Sequence, residues 1–146
     1  MSVHKSAMKK IFTIIFATIL FAVSAFGQTI ENSSRSTIGY ISASGTVENS
    51  SRSTVGYISS DGKVEDSSRN TLGYINSNGT VENASRSTIG YINSNGTIEN
   101  GSRSTLGYIN SDGKVENSSR STIGYAKGVK MEHAAAFFFF FFKPKD

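Results

Sequence analysis

A chain of 146 residues with no cysteine and no tryptophan excludes a disulfide-stapled scaffold and any thiol chemistry. Its formal charge of +4 falls to +1 once the first 27 residues are set aside, and the remaining body alternates signs, which excludes the basic stripe of a nucleic-acid binder. All ten phenylalanines lie near the two ends, so the long middle lacks the large side chains of an ordinary core.

In chain order, Lys5, Lys9 and Lys10 precede an apolar stretch from Ile11 to Val23, followed by Ser24-Ala25-Phe26-Gly27. This is the grammar of a cleaved export signal over residues 1–27. The alternative, a membrane-anchoring helix, is disfavoured because about 13 apolar residues fall short of the roughly 20 that span a bilayer. The expected location is outside the cytoplasm: periplasm, outer surface or extracellular space.

Residues 28–128 form a repeat domain. The motif S-T-I-G-Y, or a close variant, ends at Tyr40, Tyr57, Tyr74, Tyr91, Tyr108 and Tyr125, each 17 residues after the last, with no insertion or deletion. Within one unit, Thr80-Val81-Glu82 and Ser87-Thr88-Ile89-Gly90-Tyr91-Ile92 carry the β-branched and aromatic enrichment of short strands. Turns separate them. Asn78-Gly79, Asn95-Gly96, Asp61-Gly62 and Asp112-Gly113 favour tight reversals, whereas the second connection, Asn-x-Ser-Arg, reads as looser. Strand alternation sets Ile89 and Tyr91 on one face, with Val81 assigned to it, and Thr88, Gly90 and Ile92 on the other.

The fold class is therefore all-β, a repeat protein of six units. Two connectivities fit. A β-solenoid makes each unit one coil, and invariant unit length favours it. It also stacks the Glu column from Glu31 to Glu116 and the Arg column at neighbouring positions, which is unfavourable. An antiparallel meander of about twelve short strands separates those charges but leaves a thin sheet with little to cover it.

Six copies of one motif repeat the same groups along a surface, whereas catalysis needs one singular constellation. His133 is the single histidine after the export signal. With no cysteine and no second histidine beside it, no nucleophile or metal site can be assembled, and it is expected to face solvent. The reading is accordingly not an enzyme, with no catalytic residues, no cofactor and no metal. Calcium binding is disfavoured because only Asp61 and Asp112 place a carboxylate in the Gly turn.

Two columns could face a ligand: the six tyrosines named above, which could stack on sugar rings, and Arg35, Arg52, Arg69, Arg86, Arg103 and Arg120, which could read a periodic polymer by multivalency. The plainer roles are core bulk for Tyr and, for each Glu and Arg flanking a turn, a pair such as Glu48 with Arg52.

After Tyr125 the repeat breaks, and Ala134 to Phe142 form an apolar run within the tail, residues 129–146. Nine residues make a helix of about 14 Å, too short to cross a bilayer. Phe137, Phe138, Phe139, Phe140, Phe141 and Phe142 therefore serve either as a cap on the repeats or as a membrane or partner docking segment. An exposed run of this kind would aggregate, so burial somewhere is required.

The unit G-T-V-E-N-S-S-R-S-T-I-G-Y-I resembles repeats of uncharacterised exported bacterial proteins, which likewise join a signal peptide, short β units and an aromatic C-terminal run. The resemblance brings no known activity. The expected function is a structural and interaction module of the cell envelope or exterior, with carbohydrate or cell-wall polymer binding as the alternative. Expected partners are an envelope polymer or a membrane surface met through the tail, self-association being a further route, and no nucleic acid.

Overall fold

The computed structural model describes residues 27–144; the expected export signal, residues 1–27, lies outside the described residues but for Gly27. Each T-x-G-Y-I motif forms a strand: β2 (Thr37–Ile41), β4 (Thr54–Ile58), β6 (Thr71–Ile75), β8 (Thr88–Ile92), β10 (Thr105–Ile109) and β12 (Thr122–Tyr125). The x-V-E-N motifs form the others: β1 (Gln28–Asn32), β3 (Thr46–Asn49), β5 (Lys63–Asp66), β7 (Thr80–Asn83), β9 (Thr97–Asn100) and β11 (Lys114–Asn117). All twelve pair with their chain neighbours, and β1 pairs antiparallel with β12, closing a barrel.

Closure works because the chain starts the barrel with the first half of a unit and ends it with the second half, six whole units in all. Strand β1 supplies the partner that β12 lacks, matching Glu31 to Tyr125 as Glu48 matches Tyr40. A closed ring leaves no unpaired edge to aggregate.

The all-β repeat reading holds, and the connectivity is the antiparallel meander, not the solenoid. The reason lies in the turns, both of which reverse the chain tightly. In the first, the Gly79 N–H donates to the Asn76 carbonyl at 3.0 Å, with Gly79 at φ 88°. The second has the same plan: the Arg86 N–H donates to the Asn83 carbonyl at 3.0 Å, with Arg86 at φ 66°. It is not loose. The Asn83 Oδ1 accepts the backbone N–H groups of Ser85 and Ser87, each at 3.0 Å, which holds an arginine where glycine is usual. Antiparallel succession also puts like charges on alternate strands, removing the repulsion that a stacked coil would carry.

Inside, Ile41, Val47 and their equivalents are buried against each other and against the glycines of the T-x-G-Y-I strands. Val81 pairs with Ile75 on one side and Gly90 on the other, so it belongs to the Gly90 and Ile92 face and not to the tyrosine face. A bulge between Val81 and Glu82 shifts the register there, which strict counting along the strand overlooks.

The tail fills the lumen. Ala126 takes the place of the repeat's isoleucine and is buried; the chain then turns in through Lys127-Gly128-Val129 to helix α1 (Met131–Ala135) and a π-helical turn (Ala136–Phe140). Ala134, Ala135 and Ala136 are fully buried, their small side chains letting the helix pass within the isoleucine and valine layer. Tail and barrel share one hydrophobic core. The thin sheet expected from the repeats alone is covered from within.

Candidate functional site

Two features bear on function: a charged girdle outside the barrel and a cleft at its mouth. On the outside, each arginine of the second turn lies over a tyrosine of the preceding unit, its guanidinium carbon 3.4 Å from the ring centroid. Arg35 covers Tyr125 in the same way, so the girdle closes with the barrel. Each arginine also donates from Nη1 to the glutamate four residues earlier, as Arg52 does to Glu48 at 3.2 Å and Arg86 to Glu82 at 3.0 Å. The tyrosine and arginine columns are thus brought together and engage each other. One face of every tyrosine ring is covered by an arginine.

This girdle accounts for the left-handed arginines. Replacing Arg86 by alanine keeps the unfavourable φ and loses the ring and carboxylate contacts, whereas glycine loses the contacts and relieves the backbone. Arg86→Gly is therefore expected to unfold at a higher urea concentration than Arg86→Ala, by about 1 kcal/mol.

Four of the girdle's glutamates, Glu65, Glu82, Glu99 and Glu116, are held ionised. A hydrogen bond from Lys63, then one from Arg69, lowers the Glu65 carboxyl below its ordinary value; Lys114 and Arg120 do the same for Glu116. For Glu82 and Glu99 the larger cause is a hydrogen bond from Asn76 and Asn93 respectively, followed by Arg86 and Arg103. A lowered folded-state pKa gives stability that is present above the ordinary carboxylate range and lost as pH falls through the lower, folded value. Unfolding free energy is expected to be level from neutral pH to about 5 and to fall below about pH 4, read by urea titration at each pH.

The mouth cleft has a volume of about 1140 Å³ and lies between the start of α1 and the first turns of three consecutive hairpins. Met131 gives it apolar surface, with only the edges of the core residues Ile58, Ile75 and Ile92 at its base; Ser60, Ser77, Asn78, Ser94 and Asn95 give it hydroxyls and carboxamides. Asn78 and Asn95 use Oδ1 to accept the N–H groups of Thr80 and Thr97, each at 3.0 Å, leaving their Nδ2 donors for an outside acceptor. Lys130, Glu132 and His133 line the helix side. His133, expected in solvent, is half-buried, and burial first, with Lys130 second, pushes its pKa below the ordinary value. The sequence signalled these positions only as turn formers and as the start of the tail. Nothing in it indicated that helix and turns would meet.

Among the described residues no group of three His, Asp or Glu side chains is placed to hold a metal ion, and no helix is long and apolar enough to cross a membrane. The strands, at four or five residues, reach about 13–17 Å, below the roughly 25 Å apolar band of a membrane barrel.

The phenylalanines read as cap or docking segment stand within the barrel, one to each unit. Phe137 meets Gly39, Phe138 meets Gly124, Phe139 meets Gly107, Phe140 meets Gly90, Phe141 meets Gly73 and Phe142 meets Gly56. Phe137, Phe138 and Phe139 are buried and the other three half-buried. At every one of these glycines a Cβ would fall within 3.0 Å of the facing ring.

No curated protein and no solved structure matches the chain. A family model described as 5-fold beta-flower protein matches residues 27–142, the whole barrel together with its aromatic plug. Six units where that description counts five, closed around one phenylalanine each, make this chain a six-petalled member of the beta-flower family, to which it belongs.

Proposed function

We propose that this protein is an exported, non-catalytic interaction module that holds a polyhydroxylated ligand of saccharide size in its mouth cleft. The observation that carries the reading is the cleft's make-up: the half-buried Met131 and the edges of three core isoleucines beside unspent hydroxyl and carboxamide donors. A sugar ring has the same two characters, an apolar face and a hydroxyl rim, and about 1140 Å³ is in the range of small-ligand sites. Export is supported by the lysines and apolar stretch ahead of residue 28, and the absence of a catalytic role by the repetition of every polar group around the ring. An envelope glycan is the natural source of such a ligand outside the cytoplasm.

Titration of the protein with neutral mono- and oligosaccharides, followed by amide chemical shifts, tests this. Shifts are expected in residues 59–62, 76–79, 93–96 and 130–133, and Ser77→Trp, which fills the cleft from an exposed turn position, is expected to weaken binding about tenfold or more. Binding that leaves those residues unmoved, or that survives Ser77→Trp unchanged, sinks the reading.

A further inference from the structure

We propose that the phenylalanine run counts the repeats: the number of consecutive phenylalanines, and not the sequence of the repeat, sets how many hairpins the ring closes with. Near-identical units with two tight turns each carry no mark that distinguishes a ring of six from one of five or seven. The tail does carry one. Starting from Gly39 of the first unit, successive phenylalanines meet the sixth, fifth, fourth, third and second units, so the run circles the lumen once, against chain order, and stops. No unit is skipped and none is met twice.

The backbone is wound to suit this count. A ring of six requires about 60° per residue, whereas an α-helix turns about 100° per residue. After α1 the chain widens to a π-helical turn, and the last two amides, those of Phe141 and Phe142, both donate to the carbonyl of Ala136, at 2.9 and 3.1 Å. The second of these bonds spans six residues, one full circuit of six side chains. Each ring tip occupies the space above a glycine, beside the carbonyl oxygen of the neighbouring strand. A missing phenylalanine would leave one glycine uncovered. An extra one would find no seat.

Four chains decide the matter by thermal unfolding: the parent; the parent without Phe142; a five-repeat chain lacking residues 63–79; and the five-repeat chain also lacking Phe142. Counting predicts a reversal of sign. Loss of Phe142 lowers the midpoint of the six-repeat chain by roughly 10 °C and raises that of the five-repeat chain. A lowered or unchanged midpoint in both backgrounds overturns the proposal. Should the five-repeat chains not fold, the same comparison is made with a seventh unit inserted, carrying six or seven phenylalanines, where seven must be the more stable. Failure of both matched chains, five with five and seven with seven, to fold also overturns it.

Discussion

Phe138→Ala is expected to destabilise the barrel by about 3–5 kcal/mol, and Phe142→Ala by clearly less. Phe138 is only 7% exposed, with its ring tip over Gly124 and its edge against Phe137 at a centroid distance of 5.4 Å. No neighbour can collapse into the space it would leave, because the residue it covers is a glycine and the strands around it are locked in a closed ladder. Phe142 is half-buried and loses correspondingly less area on truncation. Phe138→Leu, which keeps most of the volume, should cost less than about 1.5 kcal/mol. Urea unfolding of the three variants gives the ordering. Equal small losses at Phe138 and Phe142 would show that the tail is not part of the core.

Gly107→Ala is the complementary change, adding a methyl group where Phe138→Ala removes a ring. A Cβ at Gly107 meets both the Phe139 ring tip and the backbone carbonyl oxygen of Glu116 closer than 3.0 Å. The ring can shift; the carbonyl, fixed by strand pairing, cannot do so without opening the ladder. The expected loss is about 1–3 kcal/mol, the usual range for overpacking, and placement against backbone puts it toward the upper end. Phe139→Leu in the same chain should recover the part due to the ring and leave the part due to the carbonyl, so the two changes are non-additive. Strict additivity in urea unfolding would mean that Gly107 and Phe139 do not share a seat.

These two residues show how much could be read before the structure. Gly107 was legible as an interior strand glycine on the face away from Tyr108, and the phenylalanine run was legible as something that must be buried. Their meeting was not, because nothing local links a residue of the fifth unit to one 32 positions later in a segment of different composition. The same holds for the cleft. Asn78 and Asn95 announced turns by the chemistry of Asn-Gly, while Lys130, Glu132 and His133 announced only that the repeat had ended. The arginine column fared better: Arg52 four residues after Glu48, across a turn, anticipated the ion pair, though not the tyrosine of the previous unit beneath it.

The sequence by itself determined the class of structure: an invariant 17-residue period, two turn motifs per period and β-branched strands admit little but a repetitive all-β fold. It also determined that the tail must find cover, since six consecutive phenylalanines in water would associate. Only the tertiary structure decided between coil and meander. That choice turns on whether the Asn-x-Ser-Arg segment reverses the chain tightly, and it does so because Arg86 and its equivalents adopt a positive φ that the tyrosine and glutamate contacts hold in place. Closure was likewise a tertiary decision. A ring forms because β1, which begins the first unit, pairs with β12, which ends the last, as each unit pairs with the next, and it is stable because the lumen it encloses is filled by a segment from outside the repeat.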